Sequence, residues 1–275
     1  MGGPGDLFDL TGRVAAITGG AGLLGEQHAE AIASVGGVPV LVDIAGAEAE
    51  ALAARIGSAH GVEASAVLAD VTDEAQVQAL RDTLLERYGR IDILINNAAN
   101  NPKVETGGFE ASRLESLPLE QWNADLAVGL TGAFLCSRVL GQEMARRGGG
   151  AIVNIASDLA VIAPDQRLYR EPGRSDEEQP VKPVSYVVVK TALVGLTRYL
   201  ATYWAKDGVR VNALSPGGVS AGQPEEFVRR LSDLIPLGRM AQADEYRGAI
   251  VFLCSDASSY ITGQNLVADG GRTSW

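Results

Sequence analysis

The chain has 275 residues, of which 46% are hydrophobic and 21% charged, a globular profile that excludes a disordered chain. Its 23 basic residues face 34 acidic ones, and the net charge of −11 argues against nucleic acid or an anionic membrane as the main partner. Soft ligands are confined to Cys136, Cys254, His28 and His60 without paired spacing, so no zinc site and no other metal is expected. No apolar run reads as long enough to span a bilayer. Met1–Leu10 carries Asp6 and Asp9 and lacks the basic-then-apolar order of a secretory leader. The expectation is a soluble cytoplasmic protein with a small-molecule partner.

The elements follow in chain order. Val14–Thr18 reads as a buried strand, then comes a glycine-rich turn and a helix through Ile32. Val38–Asp43 is the second strand, and an alanine-rich helix runs to about Ile56. Glu63–Leu68 alternates and ends near Asp70; Glu74–Tyr88 is a helix with Asp73 at its positive end and Gly89 behind it. Ile91–Ile95 is a strand, followed by one long helix from about Leu119 to Arg147. Ile152–Ile155 is a strand, Tyr186–Lys206 a helix, and Val209–Leu214 a strand. Helices near Glu225–Leu234 and Asp244–Leu253 lead to a last strand at Asn265–Val267. Strands apolar on both faces mark a parallel sheet. Seven alternations of strand and helix predict one α/β, doubly wound domain over residues 1–275 with a mainly parallel, seven-stranded sheet.

Thr18–Gly25 lies between the first strand and first helix. Gly19 and Gly22 permit a tight turn and close approach to a pyrophosphate, and Leu23 and Leu24 open a helix whose N–H groups can meet it. A close-packed turn without ligand is the alternative. Asp43 ends the second strand, where a carboxylate accepts from a ribose diol and repels a 2′-phosphate. Ile44-Ala45-Gly46 supplies no cation, so NAD is preferred to NADP; the alternative is that Asp43 caps the next helix. Asp70 with Val71, and Asn97 with Ala98, end the third and fourth strands, where an open parallel sheet binds ligands.

Tyr186 and Lys190 are four residues apart on one helix face. A phenol titrates near pH 10. A cation about 4 Å away, at an effective dielectric near 20, favours the phenolate by about 4 kcal/mol, or about three pKa units. Such a phenol suits proton exchange with an alcohol or ketone. Taken alone, the spacing is a common chance match, and a pair on a solvated helix face is the alternative; the nucleotide signals strengthen the catalytic reading. Ser157 follows the fifth strand and can hold the substrate oxygen or cap a turn.

Together these residues resemble the short-chain dehydrogenase/reductase family. The matching features run from Thr18–Gly25 through Asp43, Asp70, Asn96-Asn97-Ala98, Ser157, Tyr186, Lys190 and Ser215-Pro216-Gly217 to Asp269-Gly270-Gly271. The resemblance implies a single Rossmann-type domain, a nicotinamide cofactor and a homotetramer or homodimer. It implies that Tyr186 is the general acid/base, that Ser157 positions the carbonyl or hydroxyl, and that Lys190 holds the nicotinamide ribose. Pro216, Gly217 and Val219 would lie along the cofactor. The stretch from Asn212 to Arg230 is similar to members of surface-sugar pathways such as nonulosonic-acid biosynthesis.

Three departures stand out. Leu23 occupies the place of the family's middle glycine. Gly129, in Val128-Gly129-Leu130-Thr131-Gly132, occupies that of the helical Asn, which leaves the proton relay from Lys190 in question. The connection from Ser157 to Tyr186 is longer than is usual in the family. Its inserted part, about Asp165 to Pro183, is read as an active-site lid whose cations Arg167, Arg170, Arg174 and Lys182 could meet an anionic substrate. Arg167 and Arg170 stand foremost because they precede the acidic run Asp176-Glu177-Glu178; a solvated loop is the alternative.

The function expected is hydride transfer between NAD and a secondary alcohol or ketone, on a sugar or sugar derivative. Two alternatives stay open: an epimerase- or dehydratase-type enzyme that retains its NAD, and a non-catalytic dinucleotide-binding protein.

Overall fold

The structure, a computed structural model, describes residues 3–100, 104 and 112–275. Seven strands build one sheet: β1 (Val14–Thr18), β2 (Val38–Asp43), β3 (Ser65–Leu68), β4 (Ile93–Asn96), β5 (Gly150–Ile155), β6 (Val209–Pro216) and β7 (Asn265–Ala268). Their spatial order is β3-β2-β1-β4-β5-β6-β7, and every neighbouring pair is parallel. The sheet is thus wholly parallel, in a Rossmann-type, doubly wound order. It reverses between β1 and β4, and the crevice at their carboxyl ends is where such sheets take ligands.

Burial explains the strands. In β1, Ala15 and Ile17 face one core while Val14 and Ala16 face the other, so period-two alternation finds apolar partners on both sides. Helices α1 (Leu23–Ser34), α2 (Gly46–His60) and α8 (Arg247–Cys254) cover the first face through Ile32, Ile56 and Ile250. Helices α3 (Glu74–Tyr88), α5 (Gly132–Arg146) and α6 (Val184–Tyr203) cover the second through Leu80, Leu140 and Leu200. Each such fully buried aliphatic side chain contributes about 1.5–3 kcal/mol. Helix α3 has the expected ends. The Asp73 carboxylate accepts the Ala75 N–H at 2.8 Å, a cap worth about 1 kcal/mol. Gly89 closes it in the left-handed region.

The long helix expected from Leu119 to Arg147 is interrupted. Helix α4 (Leu119–Leu126) passes through a turn of π-helix at Ala127–Thr131 into α5. The apolar periodicity runs on across this turn, which is why the sequence reads as one helix. Contrary to the sequence reading, Leu119–Arg146 and Val184–Tyr203 are each long and apolar enough to cross a bilayer by length and composition; in this fold α5 and α6 spend that apolarity on the sheet. Cys136 and Cys254 are free and buried, and burial pushes both thiols up to about 12.

Candidate active site

The chain leaves β1 at Thr18 and turns through Gly19, whose φ of 61° suits glycine. A Cβ there would lie 2.9 Å from the Ala98 backbone. Gly22 caps α1 and offers no side-chain acceptor, so the first-turn N–H groups and positive helix end stay available to an anion. Leu23 does not re-route this turn. It is the first residue of α1 with its side chain exposed, and the tight approach falls on Gly25, where a Cβ would overlap the Gly19 carbonyl.

Asn97 ties β4 to this turn, donating from Nδ2 to the carbonyls of Thr18 and Gly19, both at 3.0 Å. Asp43 accepts from Ala21 N–H at 2.9 Å and from Ala45 N–H at 3.0 Å. It therefore serves the turn and the following helix, and its two oxygens retain acceptor capacity for a diol. Gly19, Gly22, Leu23 and Leu24 line a cavity of about 370 Å³ together with Asp43. Asp70, Val71, Asn97 and Ala98 line the same cavity. The residues chosen from sequence between Gly19 and Ala98 thus come together. The open helix end, the glycine cradle and the carboxylate fit a dinucleotide.

A second cavity, of about 230 Å³, adjoins it through Leu24, Asn97 and Ala99, which line both. Ser157, Tyr186 and Lys190 line this one, as do Pro216, Gly217 and Val219. Ser157 sits in extended backbone just past β5 and caps a short 3₁₀ turn, its hydroxyl accepting Leu159 N–H at 3.2 Å. Lys190 reaches across from α6 and donates to Ile155 O at 2.7 Å. That bond fastens the helix carrying Tyr186 to the strand carrying Ser157. Burial pushes the Lys190 ammonium down to about 8, helped by the charge of Lys182.

Sequence reasoning did not single out Asp158 and Arg272, two polar residues of this cavity. Ser157 Oγ donates to Asp158 at 2.9 Å, and Asp158 in turn pairs with Arg272 at 2.6 Å. Both partners are buried, with side chains 4% and 8% exposed. Lys182, one of the lid cations noted in the sequence, also lines the cavity, and its Nζ lies 3.9 Å from the Tyr186 ring centre. Asp158 adjoins Ser157 in sequence, but nothing local links either to Arg272.

Comparison with known proteins agrees with this geometry. The family model for short chain dehydrogenase matches residues 13–169, and that described as Enoyl-(Acyl carrier protein) reductase matches residues 175–273. The chain belongs to the short-chain dehydrogenase family. It is 40% identical over 271 residues to a D-threitol dehydrogenase of Mycolicibacterium smegmatis, covering 97% of this chain and 95% of the relative. It is 34% identical over 274 residues to an NAD-dependent glycerol dehydrogenase of Listeria innocua, covering 97% and 96%. A crystal structure of a gluconate 5-dehydrogenase from Burkholderia cenocepacia, in complex with NADP and tartrate, matches with a TM-score of 0.87 at 32% identity. That match covers 99% of this chain and 100% of the other.

Two departures of this short-chain dehydrogenase now have a physical reading. Gly129 is buried in the π turn, and a Cβ there would come 2.6 Å from Cγ1 of Val189, the neighbour of Lys190. Val189 fills the space an Asn side chain would need, and Lys190 bonds the Ile155 carbonyl directly. Val189 is β-branched and stiff in a helix. We therefore expect Gly129→Asn to destabilise the enzyme by about 1–3 kcal/mol without raising turnover. Urea unfolding beside steady-state rates checks this; a stable variant with faster turnover contradicts it.

The lid segment contributes differently from the sequence reading. Arg167 is 81% exposed and pairs with Asp165; Arg170 pairs with Asp176. Neither lines the cavity, because each has an acidic partner within its own loop. Leu168, Tyr169 and Lys182 line it in their place. Leu168 packs with Leu231 and Met240 beside α7 (Glu225–Ser232), and Arg230 Nη1 donates to Arg170 O at 2.8 Å. The segment is thus anchored at one wall of the cavity rather than freely solvated.

Proposed function

We propose that this dehydrogenase uses NAD to oxidise a secondary carbinol of a polyol or sugar derivative. The observation that carries this reading is the meeting of Ser157, Tyr186 and Lys190 in a cavity that adjoins the dinucleotide-shaped one. Relatives named for threitol and glycerol support a polyhydroxylated substrate. When bound, the nicotinamide supplies the hydride acceptor. Tyr186 takes the hydroxyl proton, Ser157 Oγ holds the reacting oxygen, and Lys190 keeps Tyr186 beside Ser157. Before substrate arrives Asp158 accepts from Ser157; with substrate bound, the Ser157 O–H turns from Asp158 to donate to the reacting oxygen. Steady-state oxidation of a panel of tetritols, pentitols, hexitols and sugar acids tests the substrate class.

NAD preference rests on Asp43, whose carboxylate would repel a 2′-phosphate and which has no neighbouring cation at Ile44-Ala45-Gly46. The expected kcat/KM ratio of NAD over NADP is at least about tenfold, or about 1.4 kcal/mol. Asp43→Ala narrows it. Equal efficiency with NADP in the unaltered enzyme contradicts the assignment.

We further propose a closed homo-oligomer, a tetramer or dimer. Phe134 on α5 is 42% exposed, and Tyr199 and Tyr203 on α6 stack on each other while 63% exposed. Outward apolar rings on long helices favour symmetric self-association. Light scattering at micromolar concentration is expected to give a multiple of the chain mass; a monomer refutes this.

A further inference from the structure

Tyr186 has two ammonium groups against it. Lys190, one helical turn along, has its Nζ 5.8 Å from the ring centre; Lys182 has its Nζ 3.9 Å from it. Lys182 is 9% exposed and lines the same cavity as Ser157. Its backbone is held on both sides. Lys182 N–H donates to Gln166 Oε1 at 2.8 Å, and Val181 N–H donates to Ser112 Oγ at 3.0 Å. Pro183, the cap of α6, then fixes the offset between Lys182 and Tyr186. The lysine is therefore a built part of the cavity wall.

We propose that Lys182 is a positioning residue for catalysis, a second cation that acts on the face of the Tyr186 ring and stabilises its phenolate. The proposal rests on the dehydrogenase reading above, in which the substrate O–H bond breaks and the Tyr186 O–H bond forms. A cation over an aromatic face is attracted to the ring, and it is attracted far more strongly once the ring carries a full negative charge. Two ammonium groups near one phenol also repel each other, and ionising that phenol relieves the repulsion. The depressed Lys190, to which Lys182 contributes, is the other side of the same balance. Among the described residues, three carboxylates near the head of α6 have partners of their own. Asp158 is held by Ser157 and Arg272. Asp125 on α4 accepts from Ser185 and Gln121. Asp165 and Arg167 hold each other.

This chain has Gly129 where the resemblance places the family's helical Asn, and Lys182 brings a charge to the Tyr186 ring from the lengthened connection. The decisive test is ultraviolet difference titration of Tyr186, taken as the spectrum of each protein minus that of its Tyr186→Phe version. In Lys182→Met the phenolate midpoint is expected to rise by about one to two pH units. Lys182→Arg, which keeps the cation, is expected to stay near the unaltered enzyme. Lys182→Gln replaces the Met variant if that one does not fold. The acid limb of kcat/KM for alcohol oxidation should move by the same amount. A purely structural role would lower the rate equally at all pH values and leave the midpoint in place. An unchanged midpoint in Lys182→Met, or an equal rise in Lys182→Arg, overturns the proposal. The titration needs no substrate, so silence of every alcohol tried would defeat the substrate assignment alone.

Discussion

Tyr186→Phe is expected to lower kcat by about 10²–10⁴-fold, the usual worth of a positioned acid/base group, while leaving dinucleotide affinity within about twofold, since ring and helix are unchanged. The two groups assigned beside the phenol are already committed. Ser157 donates its proton to Asp158, and Lys190 is engaged with Ile155 O. Lys190→Ala should behave differently. It removes the bond between α6 and β5 as well as a charge beside the phenol, so both turnover and cofactor affinity fall. Fluorescence titration with NADH beside steady-state rates separates the two variants. Near-normal turnover in Tyr186→Phe removes Tyr186 from the chemistry.

The second large effect is expected at Arg272. Its guanidinium is the cationic partner of Asp158, and both side chains are buried. Removing one member of such a pair leaves an uncompensated charge in a poorly solvated place and costs about 3–5 kcal/mol. Arg272→Met should therefore lower the urea midpoint sharply, and it should weaken turnover because Asp158 no longer holds Ser157 in one rotamer. Replacing Asp158 by Asn in the same chain removes the orphaned charge and should recover most of the stability but not the rate. A single variant that loses less than about 1 kcal/mol contradicts the role given to this pair.

The fold was legible where the signal is local. Asp73 and Gly89 mark the ends of α3 because capping and left-handed closure are properties of single residues. The nucleotide cavity was legible for a related reason. Gly19, Asp43, Asp70 and Asn97 all sit at carboxyl ends of strands, so finding the strands locates the residues. What stayed hidden depends on distance in sequence. Arg272 meets Asp158 only because β6 and β7 bring the chain terminus back to the end of β5. Val189 fills the space beside Gly129 through helix packing, which no spacing reveals. In the lid, Arg167 and Arg170 and Lys182 look alike as cations; acidic neighbours Asp165 and Asp176 turn the first two away. Lys182 is fixed by bonds to Gln166 and by Pro183. The π turn escaped notice because it leaves apolar periodicity nearly intact.

The central claim is that Ser157, Tyr186 and Lys190 direct hydride transfer from a carbinol carbon to a nicotinamide. The most direct measurement is isotope transfer, with a polyol deuterated at its secondary carbinol carbons incubated with the enzyme and NAD. The account predicts that deuterium appears at C4 of the reduced nicotinamide, on one face only, and that a ketone forms in equal amount. Deuterium that stays in or returns to the sugar carbon without net reduced cofactor, or that is lost to water, would contradict it.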